Sequence, residues 1–205
     1  FIRCLLQAKP FAFIAENVKG MMTLGKGEVL NQIIQDFESA GYKVKTKLVN
    51  ARDYGVPQLR ERVFIVGIRN DLDFNYEHPD PSHGHDKLPY VTLKDAIGDL
   101  LENPGDVFDG GFSPIYLSRN RKKKWDEQSF TIQASGRQAP LHPSGPDMVK
   151  LEKDKWELPG DPSLHRRLSV KEIARIQTFP DWFEFSDGGN MTVQKNNRLD
   201  KQYKQ

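Results

Sequence analysis

Two strand-like segments of this chain stand too close together to be joined by a crossover helix, and that spacing fixes what the first third can become. Tyr42 to Val49 alternates apolar and charged residues, as a strand with one wetter face does. Val63 to Ile68 reads VFIVGI, a second strand. Between them lies only the loop Asn50 to Arg62, with Gly55-Val56-Pro57 in it. Parallel neighbours need a connection of about a dozen residues or more, usually a helix, so these two strands are expected to run antiparallel.

The elements before this pair complete an α/β pattern. Ile2, Leu5 and Leu6 are spaced like the buried side of a short helix, which Pro10 stops. Phe11 to Ala15, FAFIA, is a short apolar run that reads as a buried parallel strand ending at Glu16-Asn17-Val18. Val29, Leu30, Ile33, Ile34, Phe37 and Ala40 follow at helical spacing, and Gly41 is a plausible C-terminal cap. Helix, strand, helix, strand, strand is the order of the second half of a doubly wound sheet.

The texture changes after Arg69. Residues 70–90 are proline-rich and show little periodicity. Thr92 to Leu101 reads as a short helix with Thr92 as N-cap and Asp95 in a capping-box position. From Asn103 to Arg166 the chain is rich in proline, glycine and charge, with short strand-like pieces such as Phe130 to Ala134, and reads as a loop-rich second domain. Ser169 opens another helix with Glu172 completing its capping box, and Pro180 ends it. The domains expected are 1–75, 76–167 and 168–205.

A net charge of +2 does not by itself mark a nucleic-acid binder. The distribution says more: Arg119, Arg121, Lys122, Lys123 and Lys124 crowd together beside Trp125, a run that is ordinarily a solvated face and can also meet phosphates. No apolar stretch approaches the ~20 residues that span a bilayer, and no signal peptide is expected ahead of Phe1. A single cysteine, Cys4, rules out an internal disulfide framework and fits a reducing cytoplasm. His78, His83 and His85 are separated by Pro79, Pro81 and Gly84 with no cysteine nearby, which favours a solvated loop over a metal site.

Three short motifs stand in a fixed order. Glu16-Asn17-Val18 closes a strand, at the edge where open α/β sheets place their ligands, although a carboxylate there is as readily structural. Arg60 and Arg62 of Gln58-Leu59-Arg60-Glu61-Arg62 are two apart and point the same way in extended chain. They need anions or carbonyl oxygens to face, or they form a surface cluster with Glu61. Arg167-Leu168-Ser169-Val170-Lys171-Glu172, running on to Pro180, is a capped helix start.

Together these motifs resemble the DNA (cytosine-5) methyltransferase family. KPFAFIAENVKGM is similar to its strand and ENV motif, NARDYGVPQLRERVFIVG to the segment around its QxRxR motif, and RRLSVKEIARIQTFPD to its late helix. The segment 71–111 matches least. The resemblance implies the second half of a Rossmann-like S-adenosylmethionine-dependent methyltransferase sheet, a smaller loop-rich target-recognition domain, and double-stranded DNA as partner. It implies that a cytosine is flipped out of the duplex and methylated at C5 after a thiolate adds to C6. Glu16 would act at N3, Asn17 would hold the strand-end turn, Arg62 would bond O2, and Arg60 would orient Glu16 and nearby phosphate.

The family's glycine-rich cofactor loop and proline-cysteine motif are not among these residues, and Cys4 has no preceding proline. The chain is therefore expected to be a piece of a longer bacterial, cytoplasmic modification enzyme. The alternatives are a DNA-binding subunit of a split methyltransferase, or a tRNA cytosine methyltransferase. Its partner would be the missing N-terminal half, which would carry most of the S-adenosylmethionine site; no metal is expected, and alone the chain is expected to be inactive. SRNR and QASGRQ are similar to the recognition domain of modification methylases that act on GGCC. That similarity implies a GGCC target with the inner cytosine methylated. Arg119, Arg121 and Arg137 would face bases, Lys122, Lys123 and Lys124 phosphates, and Arg167 would also bind DNA.

Overall fold

The computed structural model describes residues 1–186 and 194–205. Its first unit is a three-stranded sheet: β1 (Ala12–Val18), β2 (Tyr42–Asn50) and β3 (Glu61–Arg69), in the order β1-β3-β2. Both pairings are antiparallel, with Val18 and Val49 both opposite Arg62. Helix α1 (Ile2–Ala8) ends where Lys9 turns left-handed at φ 45°, just before Pro10. Helix α2 (Glu28–Ser39) ends with Gly41 at φ 94°, a conformation that costs a residue without a Cβ little.

One face of the sheet is dry. Phe13, Tyr42, Val63 and Ile65 are buried there against Leu5 of α1 and Leu30 and Phe37 of α2. The Phe13 ring lies 4.6 Å from Phe37 and 5.1 Å from Tyr42, centroid to centroid. It sits across from Gly67, where a Cβ would come within 2.1 Å of the ring, so the glycine in VFIVGI makes room for a cross-strand aromatic. Burying such a ring stabilises by roughly 1.5–3 kcal/mol.

The sheet corrects one expectation. FAFIA is not a buried parallel strand among the described residues: β1 is an edge strand, pairs antiparallel with β3, and buries only Phe13, while Ile14 is 67% exposed. A continuous apolar run implies cover on both faces, and here only one face is covered.

Beyond Arg69 the chain first runs back along β2. Lys43 Nζ donates to Leu72 O, Lys47 Nζ to Pro79 O, and Lys45 pairs with Glu77 at 2.9 Å. A second core then forms from α3 (Leu93–Ile97), α4 (Val170–Ile176), α5 (Lys195–Tyr203) and the loops between them. It contains Leu93, Ile97, Phe108, Ile132, Leu168, Ile173, Ile176 and Tyr203, so it runs across the expected boundary at 167/168. Both expected capping boxes, Thr92 with Asp95 and Ser169 with Glu172, are present. No strand occupies Phe130 to Ala134; the hairpin of this region is β4 (Val149–Glu152) and β5 (Lys155–Glu157), turning at Asp154 with φ 55°. No helix among the described residues is long and apolar enough to cross a membrane.

A fully buried carboxylate ties α4 to the loops that precede it. Glu172 accepts from both Arg166 terminal nitrogens at 2.7 and 2.8 Å and from Ser169 N at 2.8 Å. His142 Nε2 lies 3.4 Å from it without hydrogen-bond geometry, while His142 Nδ1 is bonded by Ser144. Burial pushes the His142 imidazole down to about 4 from 6.5, so the folded protein holds it neutral. The unfolded chain takes up that proton first. The contribution is therefore fully present above pH ~6.5 and is lost as pH falls towards ~4, by an amount on the order of 3 kcal/mol. Urea unfolding at pH 7.5 and pH 5 should show this loss, and His142→Asn should show a clearly smaller pH dependence. An equal dependence in both proteins would count against it.

Candidate functional site

Glu16 and Arg62 meet on the face of the sheet opposite the α1/α2 core. Glu16 is paired in register with Phe64, two residues from Arg62, so the two side chains are diagonal neighbours on one face. Arg62 Nε reaches Glu16 Oε1 at 2.5 Å, and Arg62 Nη1 donates to Glu61 O. With Arg60, Val49, Ala51, Tyr54 and Phe64 they line a cavity of about 270 Å³. Arg60 precedes β3, and its guanidinium is held below its ordinary pKa by burial and then by Arg62, with Glu16 pulling the other way. One carboxylate facing two guanidiniums in a small cleft can bond a planar ring that offers both a protonatable nitrogen and a carbonyl oxygen.

Asn17 does not line this cleft. It lies within β1 rather than in a turn, and its Oδ1 accepts from Val18 N. Cys4 is exposed on α1, also away from the cleft.

Two residues passed over in the sequence set this geometry. The Asn50 side chain accepts from Arg52 N at 3.4 Å, capping the 3-10 turn Ala51–Tyr54, and from Arg60 N at 3.2 Å. Asparagine before Ala-Arg-Asp-Tyr-Gly is the detectable cap signal. Gln58 is 1% exposed, and its Oε1 accepts from Ile132 N in a long bond of 3.4 Å. Around it Leu59 N donates to Ser129 O, Ser129 N to Pro57 O, and Thr131 Oγ1 to Leu59 O. Nothing in the local sequence marks Gln58 for this, because its partner lies 74 residues on.

The segment joined to Gln58 also borders a second cavity of about 400 Å³, lined by Arg119, Asn120, Arg121, Phe130, Thr131, Gln133, Gln138 and Pro140. Arg119 is exposed. Arg121 is 6% exposed and held: Nε donates to Tyr116 O at 3.0 Å, and Nη2 donates to Gln138 Oε1 at 2.6 Å. Arg137 is exposed in the turn Gly136–Gln138, which Asp200 of α5 fixes by accepting from Gly136 N at 2.8 Å. Lys124 is exposed, whereas Lys123 pairs with Glu127 at 2.7 Å and lies over the Phe130 ring.

Two more of the cations expected at DNA are, like Arg121, enclosed by the chain itself. Lys122 is 6% exposed and turns to Asp147 at 3.5 Å. Arg167 is 2% exposed, lies over the rings of Phe108, Phe112 and Tyr116, and donates to Gly110 O and Gly111 O. Aromatic faces and carbonyl oxygens hold this guanidinium without a carboxylate, and the apolar rings gain cover in return, although Arg167 Nε itself has no hydrogen-bond partner among the described residues. Of the three histidines in the loop, His78 Nε2 faces Lys45 O, His85 faces Asp86, and His83 packs on Gly55.

The sequence profile described as C-5 cytosine-specific DNA methylase matches residues 1–109 and 103–196. The type II methyltransferase M.BspRI of Lysinibacillus sphaericus is 68% identical over 207 residues, covering 100% of this chain and 49% of that protein. M.BsuRI of Bacillus subtilis is 69% identical over 207 residues, covering 100% of this chain and 48% of its own length. The chain thus spans about half the length of the curated relatives it matches. Among solved structures, S. pombe Dnmt2 methyltransferase aligns with TM-score 0.57 at 14% identity, covering 98% of this chain and 66% of its own. The Entamoeba histolytica methyltransferase EhMeth aligns at 0.55 and 16%, covering 98% and 61%.

The seam at Gln58 yields a direct test. Gln58→Leu strands the buried Ile132 N–H and should cost about 1–2 kcal/mol in urea unfolding. A variant as stable as the parent would show that the side chain bond contributes nothing.

Proposed function

Because the chain belongs to the C-5 cytosine-specific DNA methylase family, we propose that it supplies the target-base cleft and the sequence reader of a bacterial, cytoplasmic DNA (cytosine-5) methyltransferase. The observation that carries the reading is the convergence of Glu16, Arg60 and Arg62 on one small cavity.

The chemistry follows from where charge moves. Cytosine C5 is a weak nucleophile until a thiolate adds to C6, which pushes electron density towards N3, O2 and C5. Glu16 bonds N3 and shares a proton there; Arg62 faces O2, where negative charge gathers. Arg60 keeps Glu16 oriented while leaving it accessible. Duplex stacking hides C6, so the base is extruded into the cleft, and the cost of unstacking is met by these contacts. Cys4, the one cysteine here, is not at the cleft, so the attacking thiolate belongs to another part of the whole protein.

S-adenosylmethionine is the methyl donor that the family implies. The described residues do not assemble its site. The cavity of about 450 Å³ against β1 is mainly apolar, and its only polar liners are Glu16, Asn17 and Asp36. No cation or hydroxyl there would meet the donor's carboxylate, and no step is assigned through it.

Arg119, Arg121 and Arg137 are the base readers, Arg121 already oriented by Tyr116 and Gln138. Lys124, with Lys123 after release from Glu127, takes phosphates. The target is read as GGCC with the inner cytosine methylated. A reading as a DNA-binding module alone leaves the Glu16–Arg62 pair without a role.

In the full-length protein, Glu16→Gln should lower methyl transfer from S-adenosylmethionine by roughly 100-fold or more while duplex affinity stays within about twofold. Normal turnover with normal affinity would falsify the role given to Glu16. On the recognition side, Arg137→Ala should cost about 1–3 kcal/mol at one guanine and relax specificity there. Lys124→Ala should weaken all duplexes alike and flatten the salt dependence. Competition binding with each site position changed in turn separates these outcomes; equal losses on GGCC and unrelated duplexes for Arg137→Ala would make it a backbone clamp.

A further inference from the structure

The loop 79–90 has no part in the reaction as derived, yet it grips the turn Ala51–Tyr54 at several independent points. The Tyr54 hydroxyl donates to Pro79 O at 2.9 Å. Asp53 O accepts from Ser82 N at 2.9 Å and from His83 N at 3.0 Å. The Arg52 guanidinium lies 4.9 Å from the Tyr90 ring centroid. His83 packs so closely on Gly55, at φ 85°, that a Cβ there would lie 2.8 Å from His83 Cε1.

Ala51 and Tyr54 of this turn both line the same cavity as Glu16, Arg60 and Arg62, and of the two only Tyr54 brings an aromatic ring. Its hydroxyl is engaged by the loop. What it can offer the cavity is therefore its ring. Glu16 and Arg62 supply hydrogen bonds to the edge of a planar ligand, and edge bonds alone leave the plane free to tilt. An aromatic face removes that freedom, and every nucleobase has a π-face to lay against it.

We propose that Tyr54 is a binding wall for the extruded pyrimidine and that the loop 79–90, through Pro79 and His83, is the fixture that sets its angle. This rests on the reading of the Glu16–Arg62 cavity as the target-base site. Tyr54 touches the base; His83 acts through the turn and is a positioning residue.

The test uses the full-length protein, a cognate duplex, and a second duplex carrying 2-aminopurine in place of the target base, whose fluorescence rises on unstacking and falls when it lies on an aromatic ring. Tyr54→Ala should keep its unfolding temperature and its duplex affinity within about twofold. It should lose roughly 10- to 100-fold in kcat/KM, mainly in kcat, and give brighter 2-aminopurine than the parent. Tyr54→Phe, which keeps the ring, should recover most of the rate, and His83→Ala should show a smaller loss of the same kind. The proposal is overturned if Tyr54→Ala matches the parent in rate and fluorescence, or if it loses duplex affinity in step with rate. Should Tyr54→Ala fail to fold, parent-like rate and fluorescence in His83→Ala overturn it equally. Glu16→Gln separates the two levels: if it retains turnover, the reading of the cavity itself falls, whereas an inactive Glu16→Gln beside a parent-like Tyr54→Ala removes only the wall.

Discussion

The ladder that β3 makes on both of its sides is the constraint from which the rest of the structure hangs. Each of its residues from Arg62 to Ile68 has partners in β1 and in β2. A central strand cannot slip by one residue without turning its buried face outward. That rule holds Val63 and Ile65 in the core and leaves Arg62 and Phe64 on the opposite face beside Glu16. The candidate site therefore inherits its geometry from main-chain hydrogen bonds that involve none of its own side chains. Upstream of the strand, Asn50 closes the turn and bonds Arg60 N, so the main chain that carries the second guanidinium is fixed by the same ladder at one remove.

Electrostatics divides the molecule's cations into two populations that composition cannot distinguish. Arg60, Arg119 and Arg137 stand at cavities or in solvent, where a ligand can reach them. Arg167, Lys122 and Arg166 are enclosed or engaged, by rings and carbonyls in the first case and by carboxylates in the others. Burial makes a charge costly, so a buried cation has to be surrounded by acceptors or aromatic faces, and it then works as a fastener. Arg167 pins Gly110 and Gly111 in this way.

Much of the first seventy residues was legible because local rules and the tertiary result agree. The spacing of Leu30, Ile33, Ile34 and Phe37 gave α2, and the short link before VFIVGI gave the antiparallel pair. Both capping boxes were readable for the same reason, since a cap is complete within four residues. FAFIA misled because an apolar run reports cover that the described residues do not supply. The β4–β5 hairpin escaped because Val149, Leu151 and their neighbours are exposed and interleaved with lysine and glutamate, leaving no buried face to pattern. Within the candidate site, Glu16, Arg60 and Arg62 announced themselves by motif. Gln58 and the enclosure of Arg167 depend on partners tens of residues away, and no window on the sequence contains both sides of such a contact.

The seam between the sheet and the loop around Ser129 has one further property. Two of its bonds, Leu59 N to Ser129 O and Ser129 N to Pro57 O, join main chain to main chain. Main-chain groups are the same whatever side chain they carry, so these two bonds place no demand on residue type, while Gln58 and Thr131 add side-chain bonds that do. The part of the joint made by main chain is indifferent to what the loops beyond it carry, much as a tool holder accepts different bits, and the cavity on its far side is insulated to that extent from changes there.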